Sequence, residues 1–170
     1  QDNRDNPIDP KKGTMAILRF DAYGGPLGGN RSYVKYSIDL RNYITIFKYI
    51  TFASRVNGGL ISGWSNDYDQ YETILFEKFY LGGSNTLRAI RPLRLLNYNN
   101  DNFDNDGDGE IDEEDEDRNI PSGKEMMVLT NMEVRFPLLW EIGGVLFFDG
   151  GNIYGDAKNI NIESLVWNYG

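Results

Sequence analysis

Apolar and polar residues alternate with a period of two along most of this chain. From Ser32 to Ile44 the even positions carry Val34, Tyr36, Ile38, Leu40 and Ile44, broken only by Asn42. The odd positions between Tyr33 and Tyr43 carry Lys35, Ser37, Asp39 and Arg41. Successive side chains of an extended strand point to opposite faces, so this pattern predicts a strand with one apolar and one polar face. Thr14 to Gly24 repeats it, with Ala16, Leu18, Phe20 and Ala22 against Arg19 and Asp21. So does Glu125 to Phe136, with Met126, Val128, Met132 and Val134 against Asn131, Glu133 and Arg135. Tyr49 to Leu60 follows less cleanly, with Arg55 and Asn57 on its polar side. Val145 to Tyr154 reads as a fifth strand, and Ile162 to Gly170 as the start of a sixth.

Strands of soluble sheets usually run to about five or six residues, whereas crossing a bilayer at a tilt takes about nine to eleven. The predicted strands are of the longer kind. Their connections alternate in length: a loop over Gly24 to Arg31, a tight turn at Phe47 and Lys48, a long excursion over 62–124, a short turn over Pro137 to Glu141, and a longer loop after Tyr154. Long loops at one end and short turns at the other are the asymmetry of an outer-membrane barrel. In that arrangement Tyr43, Phe47, Tyr49 and Trp140 mark one membrane interface, and Tyr23, Tyr33 and Trp64 the other. The competing architecture is a soluble antiparallel sandwich, whose apolar face turns inward.

Composition narrows the chemistry. The 170 residues carry a net charge of −9, but eleven of the 26 acidic residues lie between Asp101 and Asp117, leaving 17 basic against 15 acidic elsewhere. The acidity belongs to one loop, and no basic cluster suits nucleic acid. With no cysteine and no histidine, disulfides, thiolate metal sites and the usual general base are absent. No nucleophile elbow is present either, so a non-enzymatic role is expected. No run of apolar residues is long enough for a transmembrane helix, a test to which membrane β-strands are invisible.

Two constellations stand out. On the polar faces of the strands lie Arg19, Asp21, Lys35, Asp39, Arg41, Arg55, Glu133, Arg135 and Asp149. An arginine in the 62–124 excursion could fold back onto that face and pair with a carboxylate. Arg88 is the candidate, against the alternative that it makes only solvated contacts beside Arg91 and Arg94. Gly82 and Gly83 read as turn residues; no strand-to-helix Walker pattern or lysine follows, so they are not a phosphate loop. The second constellation is DNDGDGEIDEED, Asp104 to Asp115. It sets Asp104, Asp106, Asp108, Asp112 and Asp115 at positions 1, 3, 5, 9 and 12 of an EF-hand-like loop. Gly109 takes the sixth position, the backbone carbonyl of Glu110 the seventh and Ile111 the apolar eighth. Asp replaces the bidentate Glu at the twelfth position and no amphipathic helices flank the loop, so a weakly held structural Ca2+ is expected; the alternative is a solvated acidic loop without an ion.

Four segments carry a family resemblance. FYLGGSNTLRAIRP, Phe79 to Pro92, resembles the arginine motif, usually written VRGF, at the tip of the long sixth surface loop of BamA-like outer-membrane assembly barrels in the bacterial surface antigen superfamily. VLFFDGGNIY, Val145 to Tyr154, resembles that family's penultimate barrel segment. GKEMMVLTNMEVRFPL, Gly123 to Leu138, resembles the strand with which its barrel resumes, and RDNPIDPKKG, Arg4 to Gly13, its entry into an earlier strand. The resemblance spans nearly the whole chain.

It implies that residues 1–170 are the C-terminal part of an outer-membrane β-barrel domain, about five to six strands of a larger transmembrane barrel. Residues 62–124 would be its long extracellular loop, with the calcium-loop-like insert at 104–115. Arg88 would dock on Glu133 and Asp149, within a loop motif of Gly82, Gly83, Leu87, Ala89 and Ile90. Ala89 and Ile90 depart from the glycine and aromatic usual there. The implied activity is the folding and insertion of other β-barrel proteins, with the lipid bilayer, unfolded clients, periplasmic repeat domains and accessory lipoproteins as partners. Polypeptide secretion transporters, autotransporter-assembly factors and membrane-anchored lipases share the same barrel end. A soluble, calcium-stabilised β domain for binding or adhesion is the reading from a different class.

Overall fold

The computed structural model describes residues 1–24, 32–63, 77–90, 123–139, 142–155 and 160–170. Among these, six strands form a single antiparallel sheet: β1 (Gly13–Tyr23), β2 (Tyr33–Ile46), β3 (Ile50–Gly63), β4 (Met126–Leu139), β5 (Ile142–Tyr154) and β6 (Val166–Tyr169). Each strand pairs with its neighbours in sequence, in the order β1-β2-β3-β4-β5-β6. The sheet is therefore a meander whose outer edges, β1 and β6, do not meet each other.

Register keeps the two faces apart across the whole sheet. Leu18 pairs with Ile38, Ile38 with Gly58 and Gly58 with Val128, all even positions. Asp39 pairs with Asn57, Arg55 with Asn131 and Asn131 with Asp149, all odd. A slip of one residue anywhere would mix them, so the alternation in sequence specifies the pairing. Most of the even face is left bare, with Leu18 78% exposed and Phe20, Tyr36 and Leu146 also open; in β6 the parity shifts by one, so Trp167, opposite Gly150, is open on this same face. Phe20 meets Tyr36 edge to face, and Trp167 stacks on Phe148. We call this the outer face. The odd, inner face is covered by residues 77–90, which return across it.

Three differences from the sequence reading have local causes. β4 does not stop at Phe136 but continues through Pro137 to Leu139, with a register shift between Pro137 and Leu139. A proline has no N–H to donate, and an irregularity in pairing is where a strand tolerates it. The last segment is only partly extended, because Ile162–Ser164 forms a 3-10 turn before β6 begins. Tyr33 and Tyr43 do not belong to an outward aromatic belt: they are odd, buried on the inner face, Tyr33 stacking on Tyr23 and Tyr43 lying 5.7 Å below Arg135. Phe47 and Tyr49 are exposed at the turn, while Trp64 and Trp140 lie outside the described residues.

Ahead of β1 the chain doubles back. The Asn3 amide donates to the Thr14 carbonyl (3.0 Å), and Asp2 bridges Met15. Arg4 grips Asp2 through Nε (2.9 Å) and Nη2 (2.8 Å). The Asp5 carboxylate accepts the amides of Lys11 (2.9 Å) and Lys12 (3.1 Å), which closes the loop between them. Hydrogen bonds from Arg4 lower the Asp2 pKa to about 2, and the Lys12 and Lys11 amides lower that of Asp5. A carboxylate with a depressed pKa stabilises the folded segment above its ordinary value of 3.8 and loses that contribution as pH falls through the folded value. The amides of Lys11 and Lys12, which Asp5 holds, should therefore stay protected from hydrogen exchange, relative to intrinsic rates, above about pH 4 and lose protection as pH falls through the lowered pKa of Asp5. Protection that survived protonation of the Asp5 carboxylate would show that it does not hold the segment.

Candidate functional site

The returning segment is fastened first at its neck. Phe79 and Lys124 exchange backbone hydrogen bonds of 2.9 and 3.1 Å, bringing the two limbs of the excursion together. Lys35 on β2 donates to the Glu77 carbonyl and lies 3.3 Å from its carboxylate, with its ammonium over the Phe79 ring. Lys78 and the buried Glu125 stand 3.1 Å apart as an ion pair outside hydrogen-bonding geometry. Phe79 then presses onto the backbone of β3: a Cβ at Gly59 would lie 2.1 Å from its ring, so only glycine admits this approach. That explains the imperfect alternation of the third strand.

The tip is a closed turn. Gly82 (φ 113°) and Gly83 (φ 97°) adopt left-handed backbone that side chains rarely permit. The Gly82 amide donates to Thr86 Oγ1 (2.9 Å), Thr86 N to the Gly83 carbonyl (3.1 Å) and Gly83 N to the Ile90 carbonyl (2.8 Å). The turn presents Leu81 and Leu87, both fully buried, to Ile61, Met127, Leu129 and Ile153 on the inner face, and Ile90 packs against the same cluster. Burying each leucine contributes about 1.5–3 kcal/mol. Ile90 thus supplies apolar contact where an aromatic is usual in the family resembled. Ala89 is exposed and has no positive φ, so its side chain adds no backbone strain.

Beside Leu87 the structure brings Arg88, Glu133 and Asp149 together. Arg88 donates from Nε (2.8 Å) and Nη2 (2.6 Å) to the two oxygens of Asp149, a bidentate fork, and from Nη1 to Glu133 (2.6 Å). Its backbone amide reaches Asp149 as well (3.3 Å), and its guanidinium lies 4.0 Å from the centre of the Phe147 ring. The Asp149 side chain is 0% exposed. A carboxylate so buried needs charge-assisted partners, and Arg88 provides most of them. Hydrogen bonding to Asp149 raises the Arg88 pKa further above its ordinary value, so the guanidinium stays charged.

Residues beyond that trio complete the site. Asn131 Nδ2 donates both to Asp149 (2.9 Å) and to the Thr86 carbonyl at the loop tip (2.7 Å). Arg55 Nη1 donates to the Asn85 carbonyl (2.9 Å), while its Nε and Nη2 grip Asp39 beside Arg41. Arg135 holds the other oxygen of Glu133 (2.8 Å). Asn131 and Phe147 share the odd parity of Glu133 and Asp149, which was the available signal; an amide and an aromatic ring do not announce an ionic role in a list of residues. The arrangement fixes a loop to a wall, with both carboxylates engaged by guanidinium and amide donors. Among the described residues no cluster could hold a metal ion. Asp104, Asp106, Asp108, Glu110, Asp112 and Asp115 lie outside the described residues.

Removing the guanidinium leaves Asp149 buried without its charged partner, and breaking a buried pair on one side costs about 3–5 kcal/mol. Arg88→Ala should therefore raise hydrogen exchange and protease cleavage across 79–90. Arg88→Lys should rescue only partly, since one ammonium cannot reproduce a fork to Asp149 together with a bond to Glu133. Unchanged exchange in Arg88→Ala would mean that Leu81 and Leu87 hold the segment unaided.

Over 163 residues, 95% of its length, the chain is 24% identical to the outer membrane protein assembly factor BamA of Nitratidesulfovibrio vulgaris. It spans 18% of that protein's length. The family model for the Omp85 superfamily domain matches residues 1–166, so the six-stranded sheet is part of a β-barrel and the chain belongs to the Omp85 superfamily.

Proposed function

We propose that this chain is part of a transmembrane β-barrel of the bacterial outer membrane that folds and inserts other β-barrel proteins without catalysing a covalent reaction. The observation that carries the membrane reading is which face is covered. A soluble sandwich would bury the apolar side of the sheet. Here residues 77–90 lie over the charged, odd side, and the apolar side is bare from Leu18 on β1 to Trp167 on β6. An apolar outside and a polar, ion-paired inside suit a barrel wall in lipid. The relative's name, an outer membrane protein assembly factor, supports the assembly role.

On this reading Arg88, Glu133 and Asp149 lock the long loop into the barrel interior, with Gly82, Gly83, Leu87, Ala89 and Ile90 shaping its tip. Loops 24–31 and 62–124 face the exterior and the turns at Phe47 and after Leu139 face the periplasm. Assembly would use unpaired strand edges, whose backbone groups cannot stay unsatisfied in lipid and so favour pairing with an incoming strand. Unfolded barrel clients, periplasmic repeat domains and accessory lipoproteins are the partners. Depleting the full-length protein from cells should lower the amounts of several unrelated outer-membrane barrels and leave their unfolded forms in the periplasm, with the protein itself recovered in the outer-membrane fraction. Undiminished levels of other barrels would overturn the assembly role, and recovery in the soluble fraction the membrane reading.

The acidic insert extends the proposal. Asp104, Asp106, Asp108, Asp112 and Asp115, with the Glu110 carbonyl, would hold a structural Ca2+ that relieves repulsion within the loop. Protease cleavage between Asp101 and Asp117 should slow as calcium rises toward millimolar, and Asp104→Asn with Asp108→Asn should abolish the protection. Cleavage indifferent to calcium would remove the ion.

A further inference from the structure

Two adjacent glycines on β3 face opposite sides of the sheet, and only one of them is explained by the packing of the chain. Gly59 is odd, and the Phe79 ring occupies the place its side chain would take. Gly58 is even and faces outward. Its backbone is not left-handed, and a Cβ there would meet the Ile38 Cγ2 at 3.4 Å and the Met127 carbonyl oxygen at 3.7 Å, distances that a side chain tolerates. No contact among the described residues therefore requires a glycine at this position. A glycine inside a strand weakens it, and often marks a place that another group approaches closely.

Gly58 lines a groove of about 510 Å³ on the outer face. Register sets Leu18, Ile38, Gly58 and Val128 side by side across β1 to β4, so the missing side chain leaves a gap between Ile38 and Val128. Neighbouring strands lie about 4.8 Å apart, which makes that gap about 10 Å between backbones. Phe20 and Tyr36, in edge-to-face contact with centres 5.3 Å apart, flank it toward the long loops. Arg19 and Ser37 also line the groove, but both are odd, and strand geometry turns their side chains to the inner face. The outward walls are thus apolar apart from the Tyr36 hydroxyl.

We propose that the groove at Gly58 holds one acyl chain of a membrane lipid, from the leaflet on the side of the long loops. The inference rests on the membrane reading above and adds a defined site to it. The groove is continuous with the bare outer face, so whatever surrounds that face reaches it, and walls without charge select an apolar occupant. Its shape narrows the choice further: an α-helix, about 10–12 Å across with its side chains, does not enter a gap left by one side chain, whereas an unbranched hydrocarbon does. A second copy gains nothing hydrophobic by pairing faces that already lie in hydrocarbon. Phe20 and Leu18 stand three and five residues short of the β1 end at Tyr23. At about 3.3 Å per residue and a tilt of about 40°, the groove lies about 8–13 Å below that end, within the half of the bilayer nearer the long loops.

The test uses the full-length protein in phosphatidylcholine nanodiscs containing a trace of phosphatidylcholine with a diazirine midway along one acyl chain. After photolysis, labelled positions are mapped by peptide mass. Leu40 and Val56, paired on the neighbouring even row and exposed, report general contact with lipid, so their labelling checks the membrane reading separately. In the parent, labelling at Leu18, Ile38 and Val128 should exceed that at Leu40 and Val56 by about fivefold, a modest factor because only van der Waals packing distinguishes the groove from bulk lipid. Gly58→Leu fills the gap and should remove the excess, and Gly58→Ala should lower it partway; heat-modifiable migration shows which variants are folded. Equal labelling of the two rows in the parent would overturn the site. So would an excess unchanged in folded Gly58→Leu or, should that variant not fold, in Gly58→Ala. Groove residues shielded from the probe, together with a dimer that Gly58→Ala dissociates, would overturn it in favour of a second copy.

Discussion

A guanidinium held between carboxylates on two adjacent strands is the interaction around which the inner face is organised. Asp149 is buried on β5, where an unpaired charge would be costly, and the loop supplies the Arg88 fork that satisfies it. Glu133 sits one strand away and is shared by Arg88 and Arg135. Because Asn131 joins Asp149 to the Thr86 carbonyl, the wall also reads the backbone of the loop tip. Electrostatic attraction alone would allow many poses. The bidentate geometry and the backbone contacts leave few.

The apolar contacts do a different part of the task. Leu81 and Leu87 fill the space over Leu129 and Ile153, and the ring of Phe79 occupies the gap left by Gly59. These groups expel water next to the ion pairs, which strengthens the pairs by lowering the local dielectric. Removing the leucines would thus weaken the ionic contacts as well as the packing. The inner face consequently has two zones, an apolar one under the loop's neck and an ionic one extending from Asp149 to Arg41.

The outer face has the opposite economy. It contains no charged residue on the paired even positions of β2 through β5, and among the described residues most of it is open, the end of β5 excepted, where Asn161 and Ser164 bond Asn152 and Tyr154. Such an area would be a liability in water and is at home against hydrocarbon. Both faces therefore depend on one alternation, and that alternation depends on a register kept in phase over five strand pairings.

The sequence by itself determined the strands, their two faces and the parity that puts Glu133 and Asp149 on the same side, because side-chain direction in a strand follows from position alone. It also marked Arg88, through resemblance to a known motif. It did not reveal that Leu129, Met127 and Ile153, apolar residues on the polar parity, would form a core with Leu81 and Leu87, since that requires knowing where the loop lands. The odd positions of Tyr33 and Tyr43 already turn them inward, but the sequence could not show that β4 runs on through Pro137 or that Asn131 bonds the Thr86 carbonyl. Those outcomes depend on partners far apart in sequence, and only the tertiary structure, which fixes distance between residues rather than order along the chain, decided them.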